Sequence, residues 1–437
     1  MAVEPQDLRL LQNHRFRRLL ESRLLGQTAL NTMLYGLFIL VVEETGSSVQ
    51  SALLVLAFSL PSIVFGIPAG TVADILPKRF TLTAGYAARA AICGALLYYH
   101  DELLVLFLLA AAASMVAQFF SPAESAAVPA IVPAERLPAA NSLMVLTMVF
   151  GQVAGMVVVA PLLFKVFDEV PVFAVAGLLF VGAGFIAGTI PIGRGPPAPA
   201  TGAGFIESIL RGFAILRSNR RVFLAASYLT ITSALMKILV VLLPHYTKDV
   251  LNISAENTVF VAAPAAIGAG LGLLLTPPLA KTAGSRRVAA FGFVLFLLGL
   301  VALGFVVYIR DAVNANVDIG LAFVEEQVGV SSVITMAMIL AIPLGLAYSL
   351  ATVSSRAVIN EEAPGETQGR VFAAQSAVGD LAALPPLFIV GAIADLVGVR
   401  ATLLASAVAA LAIALYLTRT RRFQRVEGVA EQPVQPG

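Results

Sequence analysis

Long apolar runs recur along the whole sequence and restrict its possible folds more than any other feature. Each run holds about 20 mostly hydrophobic residues, the number that a helix needs to cross the roughly 30 Å hydrocarbon core of a bilayer. Prolines inside several runs do not exclude helix, because neighbouring helices satisfy the freed backbone groups. The pattern predicts an all-α membrane protein with twelve transmembrane helices, at 20–42, 49–73, 80–99, 103–120, 139–166, 171–191, 221–244, 257–280, 287–309, 333–353, 371–394 and 399–418.

The composition argues against several other classes of protein. Only 12% of the 437 residues are charged, whereas a soluble domain is about 25% charged. The net charge of +2 is too small for a nucleic-acid-binding surface. Cys93 is the single cysteine, and His14, His100 and His245 lack the spacing of a metal site. We therefore expect no nucleic-acid partner, no metal, no cofactor and no enzymatic activity.

The basic residues between the runs predict how the chain is oriented in the membrane. With a cytoplasmic N-terminus, 22 of the 28 lysines and arginines, including Arg23 and Arg356, fall in or beside cytoplasmic loops, and four fall outside. Cytoplasmic loops typically carry such an excess of positive charge. We predict a multi-pass protein of the cytoplasmic membrane with both termini in the cytoplasm. No cleavable signal is expected, because the first apolar run is too long.

The longest cytoplasmic connection divides the chain into two halves. Segment 192–220 starts with Gly, Pro and Ala and ends in a stretch typical of an amphipathic helix lying on the membrane. Residues of the cytoplasmic loops recur at equivalent places, for example Lys78-Arg79 and Arg286-Arg287. Two pseudo-symmetric six-helix bundles are therefore predicted. The domains are an N-terminal bundle (1–191), the linker (192–220), a C-terminal bundle (221–418) and a tail (419–437).

The loop between the second and third runs carries a charged motif, Gly70-Thr-Val-Ala-Asp74-Ile-Leu-Pro-Lys78-Arg79. The glycine permits close helix approach, and Asp74 can accept hydrogen bonds from helix N-termini or pair with a cation. Lys78 and Arg79 can anchor the turn at the lipid headgroups. The motif resembles the signature loop of the major facilitator superfamily, Gly-x-x-x-Asp-x-x-Gly-Arg-Arg. The resemblance implies that Gly70, Asp74, Lys78 and Arg79 form a gating motif.

Further segments resemble one branch of that superfamily, which contains macrolide-efflux, enterobactin-exporter and transmembrane secretion effector permeases. They are residues 13–19, 120–129, 133–143 and 212–220. The resemblance implies proton-coupled export of a small amphipathic molecule by a monomer surrounded by membrane lipids, with the proton gradient as driving force. The fourth run carries no charge, although drug antiporters of the superfamily usually have an arginine there. Gly151-x-x-x-Gly155 predicts close helix packing.

Three ionisable residues lie inside apolar runs, where a charge costs at least ~2.5–3.5 kcal/mol. Lys237 shares one helix face with Thr230 and Ser233, which predicts a polar stripe along a central cavity. Alternatively, Lys237 snorkels to the outer interface. Asp380 is the acidic residue deepest in a run and the candidate proton carrier; the alternative is a static ion pair with Lys237. Arg89 is interpreted as bridging to a loop or snorkelling.

The resemblance also implies which spans surround the substrate, since the first, fourth, seventh and tenth spans line the cavity in this superfamily. Gln27, Asn31 and Tyr35 form a single polar face of the first span. Gln118 and Tyr348 lie in the fourth and tenth runs. These residues, with Ser233 and Lys237, are the candidate substrate contacts. Ordinary hydrogen bonding between helices is the alternative role of each.

Three other functions remain as alternatives at this stage. The first is a lipid or lysophospholipid flippase, which the many Ala, Val, Leu and Met residues of the cavity spans and the missing antiporter motifs favour. The second is a membrane-embedded enzyme, which would need a catalytic constellation at membrane depth. The third is a non-transporting sensor. Insensitivity to uncouplers would distinguish the flippase, and ligand-dependent signalling without flux would distinguish the sensor.

Overall fold

The computed structural model of the chain describes residues 7–133, 136–167, 170–192, 219–316, 330–362 and 368–420. These ranges are helical and contain no strand. The helices are α1 (His14–Thr45), α2 (Ser48–Ile75), α3 (Lys78–Tyr98), α4 (Leu103–Ala127), α5 (Leu137–Val153), α6 (Ala160–Phe167), α7 (Val170–Gly188), α8 (Arg220–Asp249), α9 (Val259–Ala283), α10 (Ser285–Gly304), α11 (Val306–Asn316), α12 (Ser332–Glu362), α13 (Gln368–Val397) and α14 (Val399–Thr420). A π-helical segment, Ala154–Val159, joins α5 to α6.

Ten helices in the described ranges are long and apolar enough to cross a membrane. One of them, Ala139–Phe167, runs continuously through α5, the π-helical segment and α6. Two shorter apolar stretches, Ser48–Pro61 and Leu381–Val397, belong to the longer helices α2 and α13. The predicted all-α membrane fold is confirmed, and the count of twelve spans stays a prediction.

The ends of the helices lie at two opposite faces of the molecule. We call one the proximal face, where α1 and α8 begin and α12 and α14 end. The distal face is the opposite one, where Gly46 precedes α2, residues 250–258 follow α8 and Gly398 separates α13 from α14. The assignment of these faces to cytoplasm and exterior stays a prediction.

The helices form two halves with the same internal packing. In the first half α2 packs on α4, α3 on α7 and α1 on α5; in the second α9 packs on α12, α10 on α14 and α8 on α13. Each half also has its own hydrophobic core. The repeated pairing is the arrangement expected of pseudo-symmetric bundles. Most of the predicted linker, 193–218, lies outside the described residues, so its amphipathic helix and the domain boundaries stay predictions.

Glycines set the closest approach of helices in the first half. A Cβ added at Gly151 would lie 2.6 Å from the Cβ of Gln27, and one at Gly155 would lie 2.9 Å from the Cβ of Asn31. Neither position can therefore hold a side chain without moving α1. The predicted close packing through Gly151 and Gly155 is confirmed.

Two glycines of the second half lie even closer to a neighbouring backbone. Gly268 of α9 contacts the carbonyl of Ile342, and Gly345 of α12 contacts the carbonyl of Ala265. In both cases the opposing atoms belong to the backbone, so no rotamer change could make room for a methyl group. Close backbone contact of this kind stabilises helix pairs inside membranes, where the hydrophobic effect does not.

Candidate functional site

A cavity of about 460 Å³ lies between the two halves of the molecule. Helices α1, α2, α8, α12 and α13 contribute its walls. The first half supplies a mainly apolar wall, and the second half supplies most of the polar groups. The apolar lining includes Leu34, Phe38, Leu54, Val55 and Phe58, and the polar lining consists of Ser59, Ser233, Lys237, Tyr348, Arg356 and Gln375. Such a mixed surface suits a molecule with both apolar and polar parts.

Two cationic side chains contribute to this cavity from different helices. Lys237 lies in the middle of α8 beside Ser233, and Arg356 lies near the proximal end of α12, two turns beyond Tyr348. The structure thus places three of the candidate contacts, Ser233, Lys237 and Tyr348, against one space. Arg356 lies within α12, which continues to Glu362 beyond the predicted end of the tenth span at residue 353, and its cytoplasmic placement stays a prediction. In the sequence, no feature of Arg356 other than its charge indicated that it would line the cavity.

The polar face of α1 packs elsewhere. Gln27 and Asn31 lie against Gly151 and Gly155, and Asn31 donates from Nδ2 to the carbonyl of Gln27 at 2.8 Å. The ring of Tyr35 is buried edge-on against Phe164 of α6, with 6.0 Å between centroids. These three residues do not line the 460 Å³ cavity. Their role as substrate contacts stays a prediction.

Other candidate residues also lie away from the cavity or outside the description. Gln118 donates from Nε2 to the carbonyl of Ser114, one turn earlier in α4, at 3.4 Å. Lys78 is the first residue of α3, and Arg79 follows it on the surface. The surroundings of Gly70 and the side chains of Asp74 and Asp380 lie outside the described part of the chain. The backbone of Gly70 and Asp74 belongs to α2, and that of Asp380 belongs to α13.

A buried ion pair connects α1 to α4 in the first half. Arg23 donates from its guanidinium to the carboxylate of Glu124. Arg23 lies nine residues after the start of α1, about 14 Å along the helix, and Glu124 is 5% exposed. The helix of the fourth span thus carries a charge beyond the uncharged run 103–120, and the cytoplasmic placement of Arg23 stays a prediction. The predicted fourth span ends at residue 120 with the apolar run, whereas α4 continues through Pro122 to Ala127 and so includes Glu124.

Arg89 extends this buried group of charges. Its side chain is 4% exposed, and its guanidinium carbon lies 4.6 Å from the ring centroid of Phe120 and 5.9 Å from that of Phe180. Stacking on two aromatic faces offsets part of the cost of burying the cation. The interpretation of Arg89 as a snorkelling or loop-bridging residue is wrong, because aromatic rings inside the first half enclose it.

A carboxylate of the second half caps a helix of the first half at the distal face. Asp395 of α13 accepts hydrogen bonds from the hydroxyl of Ser47 at 2.7 Å, the backbone N–H of Ser48 at 2.7 Å and that of Val49 at 3.3 Å. Helix α2 begins at Ser48. A carboxylate there satisfies unpaired N–H groups and interacts favourably with the positive end of the helix dipole. The cap therefore joins the two halves at the distal face.

Two neighbouring contacts complete this distal seal. One turn before Asp395, a Cβ at Gly391 would lie 2.9 Å from the carbonyl oxygen of Ser48, so α13 and α2 are in backbone contact. The hydroxyl of Ser51 lies 3.1 Å from Nε2 of His245 on α8, and both side chains are buried. These contacts separate the cavity from the distal face.

Replacing Asp395 by Ala should weaken the distal seal about fivefold, because loss of a helix cap typically costs about 1 kcal/mol. A cysteine introduced at Val55, in the cavity, should react correspondingly faster with a membrane-impermeant maleimide added at the distal face. Replacement of Cys93, the only native cysteine, gives a clean background. Asp311→Ala is the matched control, since Asp311 pairs only with its neighbour Arg310 among the described residues, at 2.7 Å. Equal labelling in both variants would contradict a sealing role for Asp395.

Comparison with known proteins identifies the fold that holds this cavity. Residues 25–337 match the sequence model of the Major Facilitator Superfamily, which is well over half of the chain. The chain belongs to the Major Facilitator Superfamily. No curated protein matches it in sequence. Membership in this superfamily supports a function in membrane transport.

Solved structures of Major Facilitator Superfamily type share the fold at low sequence identity. A mutant of the nucleoside transporter NupG superposes with a TM-score of 0.71 at 12% identity, covering 94% of this chain and 99% of that chain. A bacterial homologue of the iron transporter ferroportin in its inward-facing state gives 0.68 at 15% identity, covering 93% and 98%. The outward-facing state of such a homologue gives 0.56 at 15%, covering 92% and 99%.

Proposed function

We propose that this chain is a secondary active transporter that exports a small amphipathic molecule by alternating access, driven by the proton gradient. The observation that carries the proposal is the cavity between the halves, which combines an apolar wall with Lys237 and Arg356 and is closed at the distal face. In this mechanism the substrate enters from the proximal side. Movement of one half against the other then opens the distal seal and closes the proximal side.

The direction of transport depends on the orientation of the chain. We propose that the distal face is the exterior, that both termini are cytoplasmic and that a monomer acts in the cytoplasmic membrane. The excess of basic residues in the predicted cytoplasmic loops supports this orientation. The higher TM-score against the inward-facing ferroportin homologue, 0.68 compared with 0.56, agrees with a structure sealed towards the exterior.

Asp380 is the proposed coupling carboxylate. Its neighbour in sequence, Gly379, lines the cavity together with Ala383, one turn further along α13. A carboxylate at membrane depth is costly in its charged form, so it takes up a proton readily and changes the balance between conformations when it does. The gating motif of Gly70, Asp74, Lys78 and Arg79 would act on the same balance at the proximal end of α2.

Asp380→Asn should abolish proton-driven flux. Uptake into everted membrane vesicles would be measured for a panel of labelled macrolides, catechol siderophores and lysophospholipids, with and without an uncoupler. We expect at least one compound to accumulate in an uncoupler-sensitive way in the native protein and not in the variant. Asp311→Asn, at an exposed position in the middle of α11, is the control. If no compound accumulates in either protein, the proposed transport function fails.

A flippase for lipids or lysophospholipids is the second candidate. The observation that favours it is an apolar groove of about 600 Å³ between α8, α13 and α14, next to the cavity. Flippase activity needs no proton gradient, so movement of a lysophospholipid that persists in the presence of the uncoupler and in Asp380→Asn would support the flippase over the antiporter.

A further inference from the structure

A histidine lies inside the distal seal, at the contact between the two halves. Nε2 of His245, one turn before the end of α8, lies 3.1 Å from the hydroxyl of Ser51 in the first turn of α2. The side chain of His245 is 3% exposed, and that of Ser51 is fully buried. Histidine is the side chain whose ordinary change of charge falls between about pH 5 and 8. A group that can bind a proton therefore lies where the halves must separate to open the distal side.

Among the described residues, four charged groups lie near this histidine. Lys248 and Asp249 follow it on α8, and Asp395 on α13 caps the start of α2. On α1, Glu43 lines a separate distal pocket together with Lys248. The described part of α2 adds hydroxyl groups and no charge at this contact. Three of the four charges thus belong to the second half, as His245 itself does.

The division of these charges between the halves decides which state binds a proton better. The three charges of the second half accompany His245 when the halves separate, so they act on it in both states. The first half covers the ring, and its withdrawal admits water, which stabilises a charged imidazole. Withdrawal of α2 also frees Asp395 from its three hydrogen bonds, and a free carboxylate attracts a charged imidazole more strongly. Both changes favour proton binding in the open state.

We propose that His245 is the residue through which protons from the exterior open the distal side of the transporter. Because the open state binds the proton better, a more acidic exterior shifts the balance of states towards it. This inference depends on the proposed function, which places the distal face outside and the driving proton there. It adds a second proton-binding residue to Asp380, at the exterior end of the protein, and assigns it to the step in which the substrate leaves.

Distances across the distal face measure this opening without any substrate. Tyr98, at the distal end of α3 in the first half, is 78% exposed, and Ala401, in the first turn of α14 in the second half, is also exposed. Cysteines at both positions carry spin labels in the full chain, with Cys93, the only native cysteine, replaced by serine. Double electron–electron resonance in nanodiscs then gives the populations of short and long distances, which correspond to the closed and open states.

The distribution of these distances should depend on pH. Between about pH 8 and pH 5, we expect the ratio of long to short distances to rise about tenfold, which corresponds to a tenfold difference in proton affinity between the two states. The midpoint should lie between about pH 5.5 and 7.5, where histidines titrate. A midpoint below about pH 5 would identify a carboxylate such as Asp395 and overturn the proposal. Distances that do not respond to pH would overturn it as well.

Variants assign the response to one histidine. His245→Gln keeps a hydrogen-bonding group for Ser51 but binds no proton, so the response should disappear. The double variant His14→Gln with His100→Gln leaves His245 as the only histidine and should keep the full response, which decides the matter even if His245→Gln does not fold. Loss of the response in the double variant, or a response that survives in folded His245→Gln, would contradict the proposal.

Asp380→Asn separates this inference from the proposed function. It should abolish proton-driven flux and leave the pH response of the distal distances in place, because His245 remains. If the response disappears in Asp380→Asn, the proton acts elsewhere and the assignment to His245 fails. If a compound of the transport panel is exported but the distances do not change with pH, the inference fails and the proposed function stands. If the distances respond but no compound is exported, the proposed function fails and His245 remains the residue that opens the distal side.

Discussion

Replacing Glu124 by Leu is expected to destabilise the protein by about 3–5 kcal/mol, because it leaves the positive charge of Arg23 buried without its partner. Both side chains are largely buried, with 14% and 7% of their surfaces exposed. The double variant Arg23→Met with Glu124→Leu should recover most of the lost stability, since two apolar side chains can replace a buried pair at little cost. Cys93, the only cysteine and buried, reports unfolding in detergent through its reaction with a thiol-specific dye.

An exposed pair on the same helix is the matched control. Arg17 and Glu21 of α1 form an ion pair at 3.3 Å with about half of each side chain exposed. Glu21→Leu should change stability by at most about 1 kcal/mol, because solvent screens such pairs. If Glu124→Leu is as stable as Glu21→Leu, water reaches Arg23 and the buried ion pair does not contribute to stability. If the double variant is as unstable as the single one, the loss comes from packing instead of charge.

Gly268→Val is expected to prevent stable folding of the second half. Its side chain would collide with the carbonyl of Ile342 across the contact between α9 and α12. Since only movement of a whole helix relieves this clash, we expect a loss of more than about 4 kcal/mol, the range of the most damaging core substitutions. The measurement is the yield of monodisperse protein in size-exclusion chromatography after extraction in mild detergent.

The same helix offers a control for the change in helix propensity. A Cβ at Gly270, two residues further along α9, would meet no atom within 4 Å. Gly270→Val introduces the same residue into the same helix and should leave the yield close to that of the native protein. A similar loss in both variants would mean that valine weakens α9 itself, and a normal yield for Gly268→Val would mean that the contact between α9 and α12 is less tight than described.

The length of the apolar runs predicted the membrane fold, because the thickness of the bilayer sets the length of every span. The predicted bounds of a span were wrong where a residue distant in sequence stabilises a charge inside the helix. Helix α4 was predicted to stop at residue 120, but it continues through Pro122 to Ala127, and Arg23 compensates the charge of Glu124 within it. A sequence window around Glu124 contains no information about a cation on α1.

The residues of the candidate site were also predictable only in part. The spacing of Ser233 and Lys237 predicted that they share a helix face, and both line the cavity. The spacing of Gln27, Asn31 and Tyr35 also predicted a common face, but periodicity does not show which neighbour that face meets. Glycines of the fifth span approach α1 there, so the face packs against α5 and α6. Shape complementarity between distant segments decides such cases.

The π-helical segment Ala154–Val159 has a consequence for insertions and deletions in this span. A π-turn holds one residue more than an α-turn, so the segment accommodates one extra residue without rotating the helix that follows. Deleting one residue from it, with return to a regular α-helix, would therefore leave the orientation of α6 essentially unchanged. Inserting one residue into the regular helix between Ala160 and Phe164 would instead rotate Phe164 by about 100° and turn it away from Tyr35, whose ring it now meets at 6.0 Å. The π-helical segment thus tolerates a deletion that the regular helix on either side of it does not.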